Sequence, residues 1–301
     1  MASPKIEKLS LPPLGLGEGP HWSVDSESLY LVDIHTSELF RYHPSSGKYY
    51  SVKLDVPSIG FVTPVAGTKD QFLIGAGTDL QIVKWDGISS SVESLNVIHS
   101  LSDELKTNRI NDGKSDPVGR AWFGTMRTKD ILDGKEGNFY SFTKEKGSTK
   151  HFTGVGISNG MAWNLGKNRM YYIDSLRHSV DAVDYSTDGT IGNRRVVFDL
   201  KKNDFSFFPD GMTIDTDGKL WVACYNGSRV LNIDPDSGNL LGQINLPTSK
   251  ITSAAWGGKN LDELYITSAG AGEDDSDSNA GQTFRVTGLS AHGSPMYEFK
   301  L

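Results

Sequence analysis

The residues of this chain whose types and spacing point to chemistry are acids and amides. "PDGM" places Asp210 just ahead of an apolar run, "SNGM" does the same for Asn159, "INDGK" for Asn111 and "GEGP" for Glu18. Each stands where a strand should be entering a core, so a polar side chain there needs a reason. Carboxylate and amide oxygens are hard donors. Two acids and two amides brought together suit Ca²⁺, Mg²⁺ or Mn²⁺, with Zn²⁺ a further choice. Two carboxylates meeting without a cation repel, and one of them titrates upward. Three or four oxygen ligands also leave open positions for water and substrate, as a hydrolytic site requires. Other chemistries have less support. No nucleophilic triad is present, and the single cysteine, Cys224, lies in an apolar run where it reads as buried and inert. The seven histidines (His21, His35, His43, His99, His151, His178 and His292) show no ligand-like spacing.

These residues lie tens of positions apart, so something must bring them together. That something is a repeat. "GEGPHWSVDSESLYLVD", "IGFVTPVAGTKDQFLIGAG", "RINDGKSDPVGRAWFGTM", "ISNGMAWNLGKNRMYYIDS", "FPDGMTIDTDGKLWVACYNG" and "ITSAAWGGKNLDELYITS" share one plan. A small or polar lead-in is followed by a short apolar run, a turn and a second apolar run. A second hairpin follows each copy, as in "LFRYHPSSGKYYSVKL" and "VLNIDPDSGNLLGQINL". Copies of four short strands, recurring about every 40–50 residues, indicate a β-propeller. The reading is therefore all-β: one six-bladed β-propeller domain over residues 1–301, with blades starting near 17, 59, 109, 157, 208 and 251. Lys5–Leu11 is the segment expected to complete the last blade.

In a propeller the first strand of each blade lines the central channel. Reading the same lead-in position in each copy gives Glu18, Ile59, Asn111, Asn159, Asp210 and Thr252, expected to converge at one rim. The competing reading makes Asn159-Gly160 and Asp210-Gly211 ordinary turn dipeptides. Each copy already has its hairpin turn several residues later, however. The second Asp-Gly pair, Asp217-Gly218, sits at such a turn between two apolar runs. Five of the six tryptophans (Trp22, Trp122, Trp163, Trp221 and Trp256) fall on the first two strands of a copy, which suits packing between blades.

Bulk properties narrow the function. The 301 residues are 37% hydrophobic and 22% charged, with a net charge of -7. An acidic chain without basic runs argues against nucleic acid as partner. No apolar run is long enough to span a bilayer, so no membrane association is expected. "MASPKIEKLS" lacks the apolar stretch of a secretion signal, and one cysteine suits a reducing compartment, so a cytoplasmic location is expected. "GLGEGP" lacks the strand-then-helix setting of a dinucleotide motif. "EDDSDSNAG" from Glu273 departs from a calcium loop, with Ala280 where that loop needs Gly and Val286 where it needs its closing Glu. "LSDELKTN" from Leu101 is read as a helical turn without chemistry.

With these segments in view, the chain resembles the regucalcin (senescence marker protein), gluconolactonase and luciferin-regenerating enzyme family. "GEGPHW", "NRINDGKSDPVGR", "GTM", "ISNGMAW", "MYYIDS", "PDGMTID" and "GKLWVACYNGSRV" carry the likeness over nearly the whole length. "WVACYNG" and "YYIDSL" are most similar to the regucalcin branch, and "NLDELYITSAG" also to the luciferin-regenerating branch. The resemblance implies one divalent ion, calcium in the first place, bound by Glu18, Asn159 and Asp210. It implies Arg109 and Asn111 as substrate-binding residues, Asp210 as catalytic acid/base, and hydrolysis of a small-molecule sugar lactone as in a gluconolactonase. It also places Lys129, three residues beyond "GTM", where the family's regucalcins carry a substrate-binding Glu on a lid loop. Rival readings on the same scaffold are a non-catalytic calcium-binding regulator and a nitrile hydrolase of the luciferin-regenerating type.

Overall fold

A computed structural model describes residues 4–101, 107–272 and 276–301. These residues form six four-stranded antiparallel sheets, five of them built from four consecutive strands in up-and-down order. The first strands of the six blades are Gly17–Ser23, Ile59–Pro64, Asn108–Ser115, Ser158–Asn164, Phe208–Ile214 and Ile251–Gly257. Each packs on the first strand of the next blade, all the way round the ring and back to the start. Most of "LSDELKTN" and the first three residues of "EDDSDSNAG" lie outside the described residues. Among the described residues the only helices are three single 3-10 turns, Leu165–Lys167, Ser175–Arg177 and Lys201–Asn203. None is long and apolar enough to cross a membrane.

Burial falls from the axis outward. Gly17–Ser23 and Ile251–Gly257 are buried throughout, whereas the outermost strands Lys48–Lys53 and Asn239–Asn245 are largely exposed. This explains the apolar second strands "SLYLVD", "RMYYID" and "LWVACY", which are covered on both faces. The tryptophans join blades. Trp22 stacks on Tyr265 of the sixth blade at 5.4 Å between ring centres, and Trp221 meets Trp256 edge-on at 5.4 Å. Trp122 and Trp163, on the third and fourth blades, lie 6.5 Å apart. Cys224 is buried and its thiol is free.

The ring is closed by the amino-terminal strand. Lys5–Lys8 pairs with Phe284–Thr287 and supplies the outer strand of the sixth blade, whose other strands are Ile251–Gly257 and Glu263–Ser268. Arg285 reaches across this seam to Glu7, with Nη2 2.6 Å from Oε2.

The hairpin turns divide the acids into structural and channel-facing ones. In the turn after Ile214, Asp215 Oδ1 accepts the backbone N–H groups of Asp217 and Lys219, and Oδ2 accepts the Trp221 indole N–H at 2.9 Å. Asp116 does the same for the third blade, binding Val118 N, Arg120 N and Trp122 Nε1. These carboxylates are saturated by the fold. Asp210, five residues before Asp215, belongs to a different layer of the molecule.

Candidate active site

In every blade the ladder between first and second strands slips once, by one extra residue on the first strand. The slip lies between Glu18 and His21, Ile59 and Val62, Ile110 and Gly113, Ser158 and Met161, Pro209 and Met212, and Ile251 and Ser253. A β-bulge frees a residue from pairing and re-aims its side chain. Here six bulges ring one end of the channel. Asn111, Asn159, Asp210 and Thr252 occupy the slipped positions of their blades.

The register corrects the sequence reading at two blades. The residues matching Asn159 and Asp210 in the first and second blades are Gly19 and Gly60; Glu18 and Ile59 lie one position earlier, still paired in the ladder with Val32 and Ala76. Ile59 is fully buried in an apolar cluster with Val32 and Trp85. The longer Glu side chain nevertheless brings Glu18 to the same cavity as Asn159 and Asp210. Asn159-Gly160 and Asp210-Gly211 are not turns. A Cβ on Gly160 would sit 2.7 Å from the Asp210 carbonyl oxygen and 2.7 Å from Met212 N; one on Gly211 would sit 2.5 Å from Ser253 Cβ. Glycine follows the polar residue because adjacent blades nearly touch at the axis.

The cavity has a volume of about 550 Å³. Glu18, Arg109, Asn111, Asn159 and Asp210 all line it. Glu18, Asn111, Asn159 and Asp210 are buried, at 5%, 7%, 3% and 7% exposure, so their polar atoms face the cavity floor and not bulk water. Hydrogen bonds fix the amides. Asn159 Nδ2 donates to Ser175 Oγ at 2.9 Å, and Ser175 Oγ donates to the Pro209 carbonyl at 2.7 Å. Asn111 Nδ2 donates to the Ser158 carbonyl at 2.8 Å and lies 3.4 Å from Asn159 Oδ1. Both amides therefore spend their N–H groups on the scaffold. Arg109 donates through Nη1 to the Ile110 carbonyl at 3.1 Å.

Electrostatics at the floor are unbalanced. Burial, then the Asp112 charge, pushes the Glu18 carboxyl up to about 8, despite the nearby Arg109 and Lys114. Burial, Glu18 and Asp112 raise Asp210 well above the usual carboxylate range. Burial raises Asp112 and lowers Lys114, and brings Arg109 down to about 10. Three buried carboxylates thus face two half-buried cations, Arg109 and Lys114. Among the described residues no three His, Cys, Asp or Glu side chains gather as a ligand group. The donor set fitted to an ion is instead two carboxylates, Glu18 and Asp210, with the Asn159 amide oxygen. All are oxygens, and their charge is in excess, so they fit a hard divalent cation.

Asp112 and Lys114 also belong to this end of the channel. Asp112 Oδ1 accepts the Gly113 N–H at 2.7 Å, a local turn-like bond, while Oδ2 is buried without a partner. Lys114 Nζ donates to the Met212 carbonyl across the channel. Their signal was the run "NDGK" at a bulge, where successive side chains no longer alternate between faces. His21, also buried, is lowered to about 3 by burial and by Lys114. It lines a second cavity with Lys114, distinct from the one lined by Glu18.

The lid position also differs from expectation. Lys129 is exposed and does not line the cavity. The Asp133 N–H donates to the Asp130 carbonyl at 3.0 Å, and the tip of the resulting turn, Ile131 and Leu132, lines the cavity instead.

The family model for the SMP-30/gluconolactonase/LRE-like region matches residues 16–270. The chain belongs to this family. Among its SMP-30/gluconolactonase/LRE-like relatives is the regucalcin of Gallus gallus, 40% identical over 99% of each chain. A solved luciferin-regenerating enzyme is 36% identical, superposes with a TM-score of 0.94, and is matched over 99% of this chain and 100% of its own. A calcium-binding regucalcin of Agrobacterium tumefaciens, 24% identical with 96% and 95% covered, shares the fold at a TM-score of 0.86.

Proposed function

We propose that this protein is a divalent-metal-dependent hydrolase of small lactones, with Glu18, Asn159 and Asp210 as ligands and Ca²⁺ as the first candidate ion. The observation that carries this is the convergence of two charge-excess buried carboxylates and an oriented amide on the floor of one cavity, with Arg109 and Asn111 beside them. Family membership supports the same reading.

A divalent ion bound there supplies Lewis acidity to a carbonyl. The chain's own groups do the rest. Asp210 accepts the proton of the attacking water and returns it to the leaving ring oxygen. Arg109, brought beside the acids by the strand Asn108–Ser115, hydrogen-bonds the substrate's oxygens and holds the carbonyl in place. Asn111, whose amide nitrogen is held by the Ser158 carbonyl and Asn159 Oδ1, offers its side-chain oxygen to accept from a substrate hydroxyl. The bulges hold these groups on strands rather than on loops, which limits their drift.

A calcium-binding regulator uses the same ligands but has no need of Arg109. The test is a hydrolysis screen of aldonolactones, aryl esters and nitriles with metal-stripped protein refilled with Ca²⁺, Zn²⁺, Mn²⁺ or Mg²⁺. Metal-dependent lactone turnover that falls in Arg109→Ala is the expected result. Turnover of nitriles alone would move the protein to the luciferin-regenerating reaction, and no turnover with tight Ca²⁺ binding would leave the regulator.

A further inference from the structure

Above its polar floor, the cavity has one largely apolar wall, with His35, Asn226 and Lys250 as polar residues elsewhere in the lining. Met126, Ile157, Phe208 and Tyr225 line it together with Ile131 and Leu132 from the turn after Ala121–Arg127. Central positions of a tight turn normally go to Gly, Pro, Asn or Asp. Here they hold two bulky aliphatic side chains, at 38% and 67% exposure. The turn is built and not loose. Arg127 pairs with Glu136 at 3.4 Å and approaches Asp130 at 3.9 Å, which ties the two ends of the segment together. Its charged residues Lys129, Asp130, Asp133 and Lys135 are exposed and outside the cavity lining. The segment thus turns its apolar face inward and its charged face to water. The rim lysine, Lys250, is already engaged, with Nζ 3.0 Å from the Ala271 carbonyl and 3.3 Å from that of Gly270.

A wall of this kind is poorly matched to a ligand covered in hydroxyls. Each hydroxyl facing Leu132 or Phe208 would lose water without gaining a partner. We propose that the preferred substrates are lactones carrying an alkyl or aryl substituent on the ring, with the lactone carbonyl on the polar floor and the substituent against Ile131, Leu132 and Phe208. This rests on the lactonase reading for the orientation of the substrate and names its class. A cavity of about 550 Å³ accommodates such a substituted ring. Each methylene moved from water to the wall should tighten binding by about twofold to fourfold.

The test uses Ca²⁺-loaded protein and non-hydrolysable 5-alkyl-2-pyrrolidinones with methyl, butyl and hexyl chains, titrated by calorimetry. The expected result is an affinity rising at least about 30-fold from methyl to hexyl. The rise should be cut to less than half in Leu132→Ser and Ile131→Ser and kept in Leu165→Ser, which alters an exposed leucine outside this cavity. A flat series in the wild type, or a steep one untouched by both wall variants, overturns the proposal. Parallel hydrolysis of gluconolactone and γ-alkyl lactones separates the two readings. Gluconolactone turnover beside a flat lactam series removes this inference alone. A steep lactam series with no lactone hydrolysed removes the lactonase reading, and with it lactones as the substrate class, and leaves only the apolar binding wall.

Discussion

Ser175 holds Asn159 by its amide nitrogen: Nδ2 donates to Oγ at 2.9 Å, and the same hydroxyl donates to the Pro209 carbonyl, one residue before Asp210. One side chain therefore orients one candidate ligand and ties down the strand that carries another. Groups that orient metal ligands typically matter by roughly 10- to 100-fold in affinity. Ser175→Ala should weaken Ca²⁺ binding by about 10-fold while the far-ultraviolet spectrum stays that of the wild type. Calorimetric titration checks this, and unchanged affinity would take Ser175 out of the site.

Asp210→Asn separates catalysis from stability. It keeps an oxygen donor but removes the proton acceptor, so turnover should fall by roughly 100-fold or more with metal still bound, more weakly. In metal-free protein the same change relieves the repulsion that burial and Glu18 impose on Asp210. Its melting temperature should therefore rise, by about 2 °C for each kcal/mol gained in a chain of this size. A metal-free variant that melts below the wild type would show that Asp210 is not under electrostatic stress.

His151 makes a pH-dependent contribution far from the cavity. It stacks on Trp122 at 4.7 Å, with Nε2 2.8 Å from Ser141 Oγ, and burial lowers it to about 4. The unfolded chain takes up this proton near pH 6.5, the folded one only near 4. Stability is thus full above about pH 6.5 and is lost as pH falls toward 4. Allowing for partial solvent access, the loss between pH 7.5 and 5 is on the order of 1 kcal/mol. Urea unfolding at the two pH values should show a smaller drop in His151→Gln than in the wild type; equal drops would assign the acid sensitivity elsewhere.

The glycines at the axis should be intolerant in a way that outer glycines are not. Gly160→Ala drives a Cβ to within 2.7 Å of the neighbouring blade's backbone, whereas a Cβ on Gly242 meets nothing within 4 Å. Gly160→Ala should cost about 3 kcal/mol or more. Gly242→Ala, in an exposed outer strand, should be neutral to within about 1 kcal/mol. Denaturant midpoints of the two variants decide, and similar midpoints would remove the close-approach explanation.

Much of the architecture was legible because strands covered on both faces announce themselves, as "SLYLVD" and "RMYYID" do, and because the pattern recurs six times. The convergence of Asn111, Asn159 and Asp210 followed from their shared place in the repeat. Glu18 was found by the same argument but does not obey it. It sits one register position early and depends on a longer side chain and on Gly19 at a φ of 55°. Lys114 stayed hidden because a bulge breaks the alternation by which inward residues are counted. Ile131 and Leu132 stayed hidden because the facing of a turn depends on one hydrogen bond, Asp133 N to the Asp130 carbonyl, that composition does not encode. Attention to the charge at Lys129 pointed to the wrong side of that turn.

The sheet that pairs Lys5–Lys8 with Phe284–Thr287 has a consequence for the order of events on the ribosome. Synthesis delivers the outer strand of the sixth blade first and its three inner strands last. Until residue 287 has emerged, the earliest strand has no partner in its sheet, and the first and sixth blades cannot seal the ring. Glu18 and Asp210 stand on the first and fifth blades, so the two acids of the cavity floor can meet only after most of the chain has been made.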